Sequence, residues 1–412
     1  MQPIHERISR NTLILLTSQA STAGLAFLLT VILARGLGDV GLGRYATIMA
    51  WVLPLSLVAD FGLSTWLTRE IAAQRGHTHD YLRRAWPIRA SIAGGLVGGV
   101  WLGAPWLLPG AGDELRLAAP LILIDTLFGT YTAAWRAWER TFPILVLNAG
   151  LLAAQTVGAA VIIHQGGGLM GVIAVLVIAD AGQLACAWVW WRVEKLAQPG
   201  PRRVNLPSGE RLLRAAWPFA VAGLLGMVQL RAPVLLMQAF QPAEAVGWYA
   251  GAARFAEAAR LPIMALFGAV FPALSAIRTD RASQQLWRRR LVRGLLIYGV
   301  ALGGLFVLLG EQLLGLAFGA AFRAGGPALA ILGGGLAVAL LRQHAIIFLY
   351  INGYEARVNW ALALGLGVQV VAGLVWVPLW GAAGAALSLL MGEGVMLIWL
   401  RGLQRRDRQN EA

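Results

Sequence analysis

Long apolar runs separated by short polar breaks dominate the chain. The first two are joined by a Gly-rich corner, Leu33-Ala-Arg-Gly-Leu-Gly-Asp-Val-Gly-Leu-Gly-Arg-Tyr45. The run from Asn11 to Ala34 carries no charge. As a helix rising 1.5 Å per residue it covers roughly 36 Å, enough to cross a hydrocarbon core about 30 Å thick with some tilt. The run from Gly41 to Leu63 crosses back. Twelve such spans are read, at about 11–34, 41–63, 86–109, 115–136, 142–163, 169–192, 215–239, 247–275, 291–310, 324–351, 358–379 and 381–401. Each is expected to be helical, because a segment in lipid must satisfy its own backbone polar groups.

The pattern repeats. Ala245-Val-Gly-Trp-Tyr249 stands about 204 residues after Gly41-Leu-Gly-Arg-Tyr45. Arg83-Arg84 before the third span parallels Arg288-Arg289 before the ninth, and Pro120 in the fourth parallels Pro327 in the tenth. Gly168-Leu-Met-Gly171 and Gly381-Ala-Ala-Gly384 open the sixth and twelfth. Pro and Gly gather at Gln198-Pro-Gly-Pro-Arg-Arg-Val-Asn-Leu-Pro-Ser-Gly209. The organisation read from this is an N-terminal six-helix bundle over 1–197, a cytoplasmic linker over 198–212 and a C-terminal six-helix bundle over 213–412. An even number of spans in each half gives the repeats the same orientation.

Composition excludes a soluble domain. Of 412 residues, 58% are hydrophobic and 13% charged, and surface-to-volume scaling leaves too little interior to hide that much apolar surface. Fifty glycines suit close helix packing in lipid. Trp86, Trp101, Trp106, Trp217 and Trp380 fall near span ends, where indoles favour the interface. The net charge of +14 sits in short loops and forms no basic domain, so nucleic acid is not an expected partner. No cleavable leader is read, since the first run is too long for one and passes directly into a second span.

Lys and Arg fall on one side of the spans about six to one, against only Arg35, Arg44, Arg116 and Arg323 on the other. That bias places both termini in the cytoplasm. Cys186 is the single cysteine and reads as a small apolar residue in a packed helix. The five histidines show no metal spacing beyond His77-Thr-His79, which reads as solvated, and neither metal nor cofactor is expected.

Ionisable groups within spans are costly and mark pathways or partners. Arg231 lies in span seven, and Arg254, Glu257 and Arg260 follow at steps of three in span eight. Glu257 can pair with either arginine. The arginines then outnumber what one carboxylate neutralises, which leaves positive charge for an anionic ligand, and the planar guanidinium fork suits phosphate oxygens. The alternative is ion pairing that holds helices together. Arg89, Asp60 and Arg342 suit that role best, because they lie near helix ends. Asp60, Asp125, Asp180 and Glu393 are the candidate ion-coupling acids. Gln19, Asn148, Gln155, Gln183, Gln229 and Gln369 add uncharged polar groups, and Pro54, Pro218, Pro233, Pro262 and Pro272 interrupt spans.

Several of these pieces resemble one family. Leu33-Ala-Arg-Gly-Leu-Gly through Gly41-Leu-Gly-Arg-Tyr-Ala46, Asp60-Phe-Gly-Leu63 and Thr68-Arg-Glu-Ile-Ala72 are similar to the opening of the polysaccharide-biosynthesis flippases. Ala317-Phe-Gly-Ala-Ala-Phe322 and Pro378-Leu-Trp-Gly-Ala-Ala-Gly-Ala-Ala386 resemble their second half. These flippases belong to the superfamily of multidrug, oligosaccharidyl-lipid and polysaccharide exporters. The resemblance implies an all-α polytopic membrane protein with two pseudo-symmetric six-helix bundles around a central cavity. It also implies translocation of undecaprenyl-pyrophosphate-linked oligosaccharide from the cytoplasmic to the periplasmic leaflet of a bacterial inner membrane. Membrane lipids and polysaccharide polymerase machinery are the implied partners. In the related peptidoglycan-precursor flippases a cavity arginine lies on the eighth span, a role that Arg254 or Arg260 would take here. Those relatives also carry arginine in the first span, where this chain has Ser18 and Gln19, which argues against peptidoglycan precursor as substrate.

Two rivals remain on the residues alone. A cation-coupled exporter of small molecules on the same fold would use a net negative cavity. A membrane polysaccharide polymerase or ligase would need catalytic groups in its outward loops, and those loops hold no nucleophile–base pair. No phosphate-cradling GxxxxGK[ST] motif occurs, so nucleotide hydrolysis is not expected in this chain.

Overall fold

The computed structural model describes residues 4–194, 209–276, 281–351 and 354–410. Lys195, most of the expected linker with Arg202 and Arg203, and Arg278 lie outside the described residues, as do the side chains of Ser18, Gln19, Pro218 and Pro272. Among the described residues there is no strand. In chain order the helices are α1 (Ile4–Asp60), α2 (Leu63–Ala73), α3 (Thr78–Leu107), α4 (Gly112–Ala118), α5 (Pro120–Ala137), α6 (Phe142–His164) and α7 (Leu169–Glu194). They continue as α8 (Gly209–Phe240), α9 (Ala243–Ala276), α10 (Arg281–Phe318), α11 (Gly326–Gly334), α12 (Leu336–Ile351) and α13 (Glu355–Asn410).

The two longest helices each contain a break. Gly38 in α1 has φ 72° and Gly381 in α13 has φ 54°. L side chains avoid this region, so a glycine is what lets the chain turn there. These are the corners expected between spans one and two and between spans eleven and twelve. Among the described residues eight helices are long and apolar enough to cross a membrane, or nine when α11 and α12, bent by 41°, count as one broken span. Two of the eight are stretches of 52 and 48 residues, each about twice the length one crossing needs, and α9 with its four charges stands outside the count. Twelve crossings are compatible with this.

Contacts divide the chain into two compact units. One comprises Gly24–Ile32 and Ile48–Met227; the other comprises Met1–Ala23, Leu33–Thr47 and Val228–Ala412. In the first, Ile48, Val52, Ala93, Val100, Leu115, Ile122 and Ile173 bring α1, α3, α4, α5 and α7 into one core. A second cluster of Leu63, Trp66, Ile71, Tyr81, Ala134 and Ala216 fastens α2 to α3, α5 and α8. Alanines recur through both cores, as expected where lipid supplies no hydrophobic drive and small side chains let helices approach.

In the second unit the α1 corner packs on the start of α9. A Cβ on Gly43 would run into the Ala243 carbonyl, and one on Gly247 would run into the Asp39 carbonyl. The two glycines that the repeat singled out are therefore the points of closest approach. Asp39 accepts a hydrogen bond from Trp248 Nε1 at 2.9 Å. Arg35 donates to the carbonyls of Leu316 and Ala317 at 2.6 and 2.8 Å, closing the free end of α10 as a cation does best. The two halves of α13 also cross tightly, with no room for a Cβ on Gly365 or Gly392. That crossing and α12 share a core of Ala345, Leu349, Val358, Ala361, Met396 and Leu400. Trp86, Trp101, Trp106, Trp217 and Trp380 are all exposed on the protein surface.

Candidate functional site: an arginine cluster in the C-terminal helices

Steps of three along α9 carry Arg254, Glu257 and Arg260 over one broad face. The sequence left Glu257 a choice of partners, and the structure resolves it. Arg254 Nη1 lies 2.9 Å from Glu257 Oε2. Arg260 instead reaches Glu393 on the second half of α13, with Nη1 at 3.2 Å from Oε1. Arg342 of α12 approaches the same oxygen, with Nη2 at 3.6 Å. The Glu393 side chain is 4% exposed, against 23% for Arg260 and 14% for Arg342.

Arg231 on α8 lies within electrostatic reach of Glu257, Arg254 and the phenol groups of Tyr45 and Tyr249. It makes no ion pair among the described residues. Four guanidinium groups thus face two carboxylates. The Nε atoms of Arg231, Arg260 and Arg342 are buried without a hydrogen-bond partner. Buried donors of this kind cost free energy unless something accepts from them. The cluster combines excess positive charge, unfilled planar donors and partial shielding from water, which together favour an anion with several oxygens.

The candidate acids separate into two kinds. Asp60, at the end of α1, is ion-paired with Arg89 of α3. Arg89 is fully buried and also donates to Ser64 Oγ at 2.7 Å and Thr130 Oγ1 at 2.9 Å, while Ser64 donates to Asp60 at 2.6 Å. Glu393 is held by its two arginines. Asp125 and Asp180 have only neutral donors: Ser56 Oγ at 3.3 Å from Asp125, and Gln155 Nε2 at 2.7 Å from Asp180. The two carboxylates are close enough for their charges to interact, and neither has an ion-pair partner among the described residues. Gln183, one turn after Asp180 on α7, donates to Asn148 at 3.0 Å. No group of three or more metal-ligating side chains occurs among the described residues.

One reading of the sequence changes and another gains its partner. Cys186 was expected in a packed helix; it lies on an exposed face of α7. Arg342 was expected to ion-pair between helices, and its guanidinium does so, joining Arg260 on Glu393 of α13. Nothing in the spacing of α12 could reveal that, because its partner lies on another helix.

The fold and the cluster define a class: multi-pass helical membrane proteins that carry charged groups within their spans. A multidrug resistance MATE family transporter in its inward-facing conformation is similar with a TM-score of 0.76, 14% identity and coverage of 97% of this chain and 99% of its own. The lipid II flippase MurJ in an inward closed conformation gives a TM-score of 0.78 at 14% identity, over 95% and 87% of the two chains. A MATE transporter of Vibrio cholerae gives 0.65 at 13% identity, over 97% and 98%. No curated protein sequence matches the chain. Residues 8–278 match the family model described as polysaccharide biosynthesis protein, and the chain belongs to that family.

Proposed function

We propose that this protein is a flippase that moves undecaprenyl-pyrophosphate-linked oligosaccharide from the cytoplasmic to the periplasmic leaflet for surface polysaccharide assembly. The observation that carries this reading is the arginine excess of Arg231, Arg254, Arg260 and Arg342 over Glu257 and Glu393. A pyrophosphate cannot cross hydrocarbon with its charge unmet. Fixed guanidinium groups replace its hydration and offset its charge, and the forked donors grip its oxygens. Glu257 and Glu393 keep the arginines oriented while the site is empty. Alternating access between the two six-helix repeats would expose the site first to one leaflet and then to the other. The protein would sit in a bacterial inner membrane with both termini in the cytoplasm and supply substrate to polysaccharide polymerase machinery. Family membership and the flippase among its structural neighbours support the reading.

The test is made in a cell lacking the native copy. Arg254→Ala with Arg260→Ala should leave lipid-linked oligosaccharide on the cytoplasmic leaflet and deplete surface polysaccharide; full surface polysaccharide with the double variant contradicts the assignment. A second reading, a cation-coupled exporter of small molecules, is favoured by one observation. Asp125 and Asp180 lie within electrostatic reach of each other and have no ion-pair partner among the described residues. Coupling of transport to an ion gradient through that pair is compatible with either substrate.

A further inference from the structure

Pro233 stands inside α8 and has no backbone N–H. The carbonyl of Gln229, four residues earlier, therefore lacks its helical donor. Within a membrane such a group must find another partner. The partner comes from α13: Nε2 of Gln369 donates to the Gln229 carbonyl at 2.9 Å. Gln369 is fully buried, and its Oε1 has no hydrogen-bond partner, so this donation is what a polar side chain at that position accomplishes. The Gln229 side chain meets α13 a second time, with Nε2 at 3.2 Å from Met396 Sδ. Gln369 lies before Gly381 and Met396 after it, so one turn of α8 is tied to both halves of α13.

Arg231 belongs to that turn, between Gln229 and Pro233. It makes no ion pair among the described residues, and its Nε is buried without a partner. Among the described residues no counter-charge in direct contact holds its head, so its direction follows from the backbone that carries it. We propose that Gln369 is a positioning residue of the anion site. Its amide takes the place of the donor that Pro233 lacks, and it thereby sets the turn from which Arg231 projects. This rests on the anion-binding reading of the cluster.

The experiment uses the full-length protein in lipid nanodiscs and undecaprenyl pyrophosphate as the probe. Gln369→Leu keeps the bulk and removes the donor, and should weaken binding about tenfold. Pro233→Ala restores a backbone N–H to the Gln229 carbonyl, so Gln369→Leu with Pro233→Ala should bind within about twofold of the parent. In an Arg231→Ala background, Gln369→Leu should have no further effect on binding. A full loss from Gln369→Leu that Pro233→Ala does not restore, or that adds to Arg231→Ala, overturns the positioning role. Unweakened binding by Gln369→Leu overturns it too, provided Arg231→Ala itself weakens binding. Parent-like binding by Arg231→Ala overturns the anion reading instead. Heat-unfolding midpoints measured on the same samples separate these effects from misfolding. Pro233→Ala should recover the midpoint lost with Gln369→Leu.

Discussion

Glu393 Oε1 lies 3.2 Å from Arg260 Nη1, so the most buried carboxylate of the second unit's charge cluster serves as an internal counter-ion. Any incoming anion must compete with it for the same guanidinium. Removing it therefore has two opposed effects. Glu393→Gln should bind a pyrophosphate probe about tenfold more tightly, because a competing charge is gone. It should also lower unfolding stability by about 2–3 kcal/mol, the reduced end of the range for breaking a buried pair, since Arg260 keeps some access to water. Titration with the probe and heat unfolding in the same detergent read both effects. Weaker binding with unchanged stability would contradict the counter-ion role.

Arg89 and Asp60 make the complementary case, in which pairing is structural. Arg89 is completely buried and its hydrogen bonds reach α1, α2 and α5. Arg89→Met should cost about 3–5 kcal/mol by leaving the carboxylate unpaired. Adding Asp60→Asn should recover much of that, because the stranded charge disappears with it. Heat unfolding of the two single variants and the double variant forms the cycle. Strict additivity of the two losses would contradict the pairing.

The close approach at the α1 corner predicts a steep contrast among glycines. Gly43 faces the Ala243 backbone with no space for a Cβ, whereas Gly24 has nothing within 4 Å. Gly43→Ala should destabilise by about 1–3 kcal/mol through a clash with rigid backbone. Gly24→Ala should be neutral or slightly stabilising, because alanine is the better helix former. Paired unfolding midpoints check this, and equal effects at the two positions would contradict the packing.

Asp125 and Asp180 are the candidate acids without an ion pair among the described residues, which makes them the candidates for coupling. Asp125→Asn with Asp180→Asn should abolish the dependence of transport on an imposed proton or sodium gradient and leave probe binding unchanged. Flux in proteoliposomes with and without the gradient is the measurement. Retained gradient dependence in the double variant would assign coupling elsewhere.

The sequence made some of this architecture legible for definite reasons. Gly38 and Gly381 mark sharp corners because a left-handed turn between two apolar runs leaves few other choices. Gly43 and Gly247 stood out through the repeat, and each proves to be a point of backbone contact. The ion pairs were not legible. Helical spacing allowed Glu257 either arginine, and the choice depends on Glu393, which lies far along the chain. Arg342 was expected to pair between helices, but its partner Glu393 lies on another helix and no spacing within α12 could name it. Cys186 was misplaced for a different reason. A helix that is apolar all round can turn any face to lipid, so periodicity does not distinguish the packed side from the exposed one. Gln369 was recognised as polar and Pro233 as an interruption, but the hydrogen bond that joins them required the fold.

The most direct measurement is translocation of a fluorescent undecaprenyl-pyrophosphate-linked saccharide across proteoliposome membranes containing the purified protein. The account predicts flux above protein-free vesicles that falls at least tenfold in Arg231→Ala with Arg254→Ala and Arg260→Ala, while the variant stays folded. Flux indistinguishable between the parent and that triple variant would contradict it.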